Sequence, residues 1–230
     1  MSAIDGIEIG AMESLSPQQR RPAWALRPHR VLGEPGAGQP SIALSEDAFA
    51  VAHRHAAGSV AEIGGLLLGG ICSWDDATHV EVFVALPAEW TRAGPAHLTL
   101  TAESWAGMLA RKEREHPAMT IVGWYHSHPR MGIFLSEMDL DIHRGFFREP
   151  WHVALVINGQ DRRAGCFAWQ DGKVRPARHL IWLPLENRHR AIEITAERDR
   201  LAYRVVRSRP RRSVAPAVTR DPTRRNPWRR

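Results

Sequence analysis

The chain has 230 residues, 43% of them hydrophobic and 24% charged, which fits a soluble globular protein of one domain with tails, or two small domains. No apolar run approaches the roughly 18–20 residues of a membrane span, and two cysteines are too few for a disulfide scaffold at this length. The net charge of +6 hides an asymmetry: residues 203–230 hold ten arginines against one aspartate, a balance of +9, so the remainder carries −3.

The first residues lack a basic start and an apolar signal core, so a cytoplasmic protein is expected. Pro22, Pro28, Pro35 and Pro40 with weak periodicity predict a loosely ordered lead-in over residues 1–40, on which Trp24, Leu26 and Val31 can dock. Residues 45–57 read as a helix capped by Ser45 and stopped by Gly58. Strands are predicted over 60–71, 80–86 and 97–101, then a helix from Thr101 or Ala102 to residue 115, ending before Pro117. A strand over 118–127 leads into a proline loop, and 136–146 reads as a helix. Strands at 151–157 and 164–169 flank an Asn158-Gly159 turn, and 173–183 is a weaker strand. Cys72 and Cys166 lie in apolar stretches and read as reduced core residues.

This interleaving predicts an α/β fold over residues 41–183, with one mixed sheet sandwiched by helices. Residues 184–207 can include an amphipathic helix over 189–207, with Ile192, Ile194, Leu201 and Val205 as its apolar positions. Residues 208–230, rich in arginine and proline, are expected to be disordered.

The chemistry concentrates in His126-Ser127-His128-Pro129 and, six residues on, Ser136-Glu137-Met138-Asp139. Histidines at i and i+2 on a strand end share a face. Asp139 lies in the first turn of the next helix, and the loop is long enough to fold it back. Two imidazoles and one carboxylate leave a fourth position open, the donor pattern of a catalytic zinc site. Such a site also needs a base and an oxyanion donor. Glu62 is the candidate base, because a carboxylate opening the apolar run Ile63-Gly64-Gly65-Leu66-Leu67-Leu68-Gly69 is costly unless a partner or a task explains it. Ser136 is the candidate donor, and its Ser-x-x-Asp pattern is also a helix N-cap.

Glu62-Ile-Gly-Gly-Leu-Leu-Leu-Gly69 together with Gly123-Trp-Tyr-His126-Ser-His128-Pro129, Ser136 and Asp139 resembles the JAMM (MPN+, JAB) metalloproteases, across about residues 41–183. The resemblance implies a cytidine-deaminase-like MPN fold. It implies one zinc ion held by His126, His128 and Asp139, with Glu62 as acid/base and Ser136 stabilising the tetrahedral intermediate. It also implies cleavage after the C-terminal glycine of a ubiquitin-like protein, in deconjugation or precursor processing. Bacterial relatives accompany ubiquitin-like conjugation operons, so E1- and E2-like enzymes are the implied pathway partners. Processing of a sulfur-carrier or other small protein, and a non-catalytic scaffold, stay open as alternatives. Arg130 and Glu137 depart from the glycines some members carry there.

His143, one helical turn after Asp139, can sit behind the site, and a surface or packing role is the reading adopted. His53, His55, His116 and His152 read as structural or exposed histidines, and Trp124 and Tyr125 as core beside the site. Ile133 and Phe134 can line a substrate groove or anchor the loop. The arginine tail has a composition that fits nucleic acid or an acidic partner. A solvated tail is the reading adopted, with neither membrane nor nucleic acid expected as a partner.

Overall fold

A computed structural model of the chain describes residues 15–34, 38–89, 92–94, 97–99, 101–129, 131–185, 190–197 and 200–207. The expected disordered tail over 208–230 and the departure at Arg130 lie outside the described residues. In chain order, β1 (Gln18–Gln19), a 3-10 turn (Ala23–Leu26), β2 (Arg30–Gly33) and β3 (Ser41–Ser45) precede α1 (Glu46–Ala57). Next come β4 (Gly64–Trp74), β5 (Ala77–Pro87), β6 (Arg92–Gly94), β7 (His97–Thr99) and α2 (Ala102–Glu115). β8 (Thr120–Ser127), α3 (Glu137–Phe146), β9 (Val153–Asn158) and β10 (Arg163–Gln170) follow. The last strands are β11 (Lys173–Pro176), β12 (His179–Leu183), β13 (Arg190–Glu197) and β14 (Arg200–Arg207).

The helix starts follow from their caps. Ser45 Oγ accepts from Ala48 N at 3.2 Å ahead of Glu46 and Asp47, and Thr101 Oγ1 accepts from Ser104 N at 3.1 Å. Each cap satisfies an amide that the helix cannot, and the first-turn acids complement the helix dipole.

One mixed sheet runs β13-β14-β10-β9-β8-β4-β5-β3-β12-β2, with β1 on β4 and β11 on β10. Helix α1 covers one face, where Phe49, Ala52 and Ala56 pack with Leu67, Tyr125, Leu155 and Trp182. Helices α2 and α3 cover the other, where Trp105, Met108 and Ile142 pack with Leu66, Leu68, Trp124 and Val156. This is the helix-sandwiched mixed sheet expected from the sequence. Leu66, Leu67 and Leu68 thus feed opposite faces in turn, which explains an apolar run without polar alternation. Burying each such side chain contributes about 1.5–3 kcal/mol.

The β4–β8 register shifts between Leu67, paired with Gly123, and Leu68, paired with Ile121. The extra residue reverses the alternation, so Ile121 joins Trp124 on the α2/α3 face while Val122 joins Tyr125 on the α1 face. Gly123 is needed there because a Cβ would run into the Val153 carbonyl oxygen of the neighbouring strand.

Three stretches differ from the sequence expectation. The lead-in is structured from Gln18: β2 pairs with β12, and Arg20 Nη2 donates to the fully buried Glu81 Oε2 at 2.9 Å. Glu81 Oε1 also accepts from Trp24 N at 3.1 Å. Within the stretch expected as a helix over 189–207, residues 190–197 and 200–207 instead form the antiparallel strand pair β13–β14. Its buried positions Ile192 and Ile194, and Leu201 and Tyr203, recur every second residue, which is strand periodicity. The weak strand over 173–183 is two strands, β11 pairing with β10 and β12 with β3 and β2, on opposite halves of the sheet. Cys72 and Cys166 are buried and free, as expected. Among the described residues, no helix is long and apolar enough to cross a membrane.

The hairpin is tied down by a buried carboxylate. Glu46 Oε2 accepts from Leu185 N at 3.0 Å and Oε1 from Ile192 N at 2.6 Å. Glu46→Ala leaves both amides without that acceptor. The expected result is a loss of about 1–3 kcal/mol in denaturant unfolding, with faster hydrogen exchange at Ile192 than at Leu67. Unchanged protection at Ile192 would rule out this tether.

Candidate metal centre

Strand β8 carries the site to one end of the sheet. It pairs parallel with β9, His126 opposite Val156, and antiparallel with β4, His126 opposite Gly64. His128 lies just past the strand end, where its amide still donates to Ile157 O at 2.9 Å. His126 and His128 therefore keep the shared face that their spacing predicts, the face covered by α3.

Helix α3 starts with a reciprocal cap. Ser136 Oγ accepts from Asp139 N at 3.2 Å, while Asp139 Oδ2 accepts from Ser136 N at 2.7 Å and Ser136 Oγ at 2.6 Å. The cap occupies one carboxylate oxygen. The other, Oδ1, faces His126 Nε2 at 3.4 Å. His126 Nε2 and His128 Nε2 are 3.1 Å apart, and His128 Nε2 is 3.7 Å from Asp139 Oδ2. Two tetrahedral ligands at zinc bond lengths sit about 3.3–3.5 Å apart, so these separations match ligands of one small cation. Among the described residues, His126, His128 and Asp139 form the group whose donor atoms all lie within 4.8 Å of one another.

Each donor is aimed from behind. His128 Nδ1 lies 2.9 Å from Gly132 O. A carbonyl can only accept, so Nδ1 carries the proton and Nε2 presents its lone pair. His126 is held differently. Its ring stacks on Trp124 at 4.7 Å and 15°, and Trp124 Nε1 donates to His143 Nδ1 at 3.0 Å. His143 is fully buried rather than at the surface, and through Trp124 it packs behind the ring of the candidate ligand His126.

The donor set calls for positive charge. Burial disfavours the His128 imidazolium, but hydrogen bonding to Asp139 and the Gly132 carbonyl outweighs it and raises the His128 pKa. Burial also opposes the Asp139 carboxylate, yet its hydrogen bonds to both histidines hold its pKa well below the usual carboxylate range. A divalent cation at the same point answers the same demand, so the residues present fit zinc.

Glu62 sits two residues before β4 and is 4% exposed. Its position is fixed by Ile63, whose carbonyl accepts from Ser127 N at 2.8 Å and whose amide donates to Ser127 Oγ at 3.1 Å. These bonds tie the Glu62 segment to the residue between the two histidines, close enough for Glu62 to favour the His128 charge. Ser127 was not singled out in the sequence. A hydroxyl between two ligands, facing away from the metal side, is the signal that points to it.

Phe134 is 42% exposed with its ring 4.9 Å from that of His128, and Met138 is 50% exposed. Ile133 instead packs into the α2/α3 core, so of this pair only Phe134 faces outward beside the site. Tyr125 is buried, and its hydroxyl meets His55 Nδ1 at 2.8 Å. His152 is buried too, its Nδ1 accepting from Glu149 N at 3.1 Å.

Two outcomes are expected. The purified chain binds about one zinc per molecule, and His128→Ala loses most of it by elemental analysis, since two remaining ligands hold the ion poorly. Full zinc content in that variant would remove His128 from the ligand set. Burial also lowers the pKa of His143 to about 3 and of His152 to about 4. Below about pH 6.5 the unfolded chain therefore binds protons that the folded chain refuses. Stability falls towards pH 4 by a few kcal/mol, because each tenfold difference in proton affinity between the two states is worth ~1.4 kcal/mol. His152→Phe flattens the slope of unfolding free energy against pH between 6.5 and 4 in metal-free protein. An unchanged slope would contradict a neutral buried His152.

Residues 39–149 match the family model described as JAB1/Mov34/MPN/PAD-1 ubiquitin protease. The 26S proteasome regulatory subunit RPN11 of Eremothecium gossypii is 34% identical over 103 residues, 44% of this chain and 32% of that protein. COP9 signalosome complex subunit 5 of Oryza sativa subsp. japonica is 32% identical over 146 residues, 61% of this chain and 37% of that protein. The chain thus spans about a third of the length of these curated relatives. A solution structure of a protein from Desulfitobacterium hafniense aligns with a TM-score of 0.46 at 20% identity, covering 61% of this chain and 92% of that one. The stretch matched by the family model includes Glu62, His126, His128, Ser136 and Asp139, so all five candidate site residues lie within a stretch similar to that family.

Proposed function

We propose that this chain is a zinc-dependent peptidase that cleaves after the C-terminal glycine of a ubiquitin-like protein, in conjugates or in a precursor. The observation that carries the reading is the buried His126–His128–Asp139 cluster with Glu62 tied beside it through Ser127. The family description, ubiquitin protease, supports the substrate class. The names of the RPN11 and COP9 relatives support work inside a multi-protein pathway. We place the chain in the cytoplasm, alongside E1- and E2-like enzymes of the same pathway.

Zinc held by these three donors would supply Lewis acidity, polarising a water molecule and the scissile carbonyl. The remaining work falls to the chain. Glu62 takes a proton from the attacking water as the new C–O bond forms, and returns it to the leaving nitrogen as the C–N bond breaks. Burial of Glu62 keeps bulk water from competing for that proton. Ser136 has two tasks. Its hydroxyl first orients Asp139 by donating to Oδ2. That oxygen also accepts from the Ser136 amide, so the hydroxyl can turn its proton to the developing oxyanion without leaving Oδ2 unpaired.

Purified chain incubated with a ubiquitin-like fusion is expected to cut after the terminal glycine, as mapped by mass spectrometry, and to stop with a chelator. Glu62→Gln should lower the rate by at least about 100-fold with zinc content unchanged. Loss of zinc in that variant would make Glu62 a ligand rather than the base. Cleavage of a sulfur-carrier precursor alone would move the substrate within the same chemistry. Absence of hydrolysis by the zinc-loaded chain would favour a scaffold.

A further inference from the structure

We propose that Asn158 is a positioning residue of the metal centre, acting on His128 through the backbone of the loop between β8 and α3. The inference rests on the metal-centre reading above, but the arrangement behind it lies on a different strand from the donors.

Asn158 ends β9, next to β8, and is 2% exposed. Its side-chain oxygen accepts from Gln160 N at 3.0 Å and Asp161 N at 2.9 Å, shaping the turn into β10. Its amide nitrogen points the other way, to Met131 O at 2.6 Å, with Asp161 Oδ2 at 3.3 Å. The residue before it, Ile157, accepts from His128 N. Two consecutive β9 residues therefore grip the chain on both sides of Pro129. The next carbonyl after Met131 is that of Gly132, the acceptor that keeps the proton on His128 Nδ1.

The far side of the loop is seated as well. Gly165 of β10 leaves space that Ile133 fills, since a Cβ there would meet the Ile133 Cγ2 methyl. On the other side of the turn, Tyr203 of β14 donates its amide to Arg162 O at 3.0 Å and its hydroxyl to Asn158 O at 3.4 Å. The hairpin β13–β14, the turn after β9 and the loop bearing Gly132 are thus connected by hydrogen bonds that meet at Asn158. The donor to Met131 O is the link that selects the ring nitrogen His128 offers.

Two variants test this in the full-length chain. Asn158→Asp keeps an oxygen for the turn amides and loses the donor. Asn158→Ser also keeps an oxygen for the turn amides without burying a charge, and its shorter hydroxyl cannot serve them and reach Met131 O as well. Either variant that retains cooperative unfolding decides the matter. Zinc affinity, read by competition with a chromophoric chelator, should fall about 10–100-fold. In metal-free protein, at a pH high enough that the His128 ring is neutral, its ¹⁵N chemical shifts should move from the Nδ1–H form towards a mixture of tautomers. The His126 ring, whose Nε2 lies 3.1 Å from that of His128, follows in its ¹⁵N shifts, but its stacking on Trp124, read from contacts between the two rings by NOE, should stay as in wild type. A merely structural role would disturb the His126–Trp124 stacking as well, or leave the His128 tautomer unchanged. Zinc affinity within twofold of wild type together with an unchanged His128 tautomer would overturn the proposal. Wild-type protein that binds no zinc would instead overturn the metal-centre reading, because the tautomer measurement needs no metal.

Discussion

Four ionisable side chains, Glu62, His126, His128 and Asp139, are each at most 4% exposed at one end of the sheet. Taking that many chargeable groups out of water costs several kcal/mol unless charge and hydrogen bonds compensate. Part of the compensation is visible in the chain: the Ser136 cap on Asp139 and the Gly132 carbonyl on His128. A cation held between the three candidate donors would supply the rest. The paired ends of β4, β8 and β9 bring these groups together at one end of the sheet.

Building such a site from parallel and antiparallel neighbours needs close backbone approach and a change of phase. The bulge at Leu67–Leu68 supplies the phase change, placing Trp124 and His126 towards α3 while Tyr125 faces α1. Gly123 supplies the approach to β9. The aromatic ring under His126 orients that candidate ligand, while the Gly132 carbonyl both orients His128 and fixes which nitrogen carries its proton. The two imidazoles are held by different physics, one by stacking and one by a hydrogen bond, and meet through their Nε2 atoms.

Much of this was legible in the sequence because it is local. The His-x-His spacing, the Ser-x-x-Asp cap and the i+2 face rule need only a few residues of context, and α1, α2 and α3 start at their caps. Glu62 was legible for another reason, as a carboxylate misplaced at the head of an apolar run. What could not be read depends on pairing between distant segments. The partners of Glu46 and Glu81 are backbone amides and an arginine far along the chain. Ile192 and Ile194 by themselves fit a helix or a strand, and only the opposing Leu201 and Tyr203 decide between them. Asn158 looked like half of a turn signal, with nothing nearby to show that its amide reaches across to Met131.

The docking of the final hairpin bears on where this protein can be cut. Tyr203 packs edge-on against Phe49, 4.9 Å between ring centres, and against His53 at 5.1 Å, while Ile192 and Ile194 join the same core. A fragment ending near residue 183 would keep every proposed metal donor yet bare an oily flank of α1, so insolubility of such a fragment would reflect a misplaced boundary rather than a defective site.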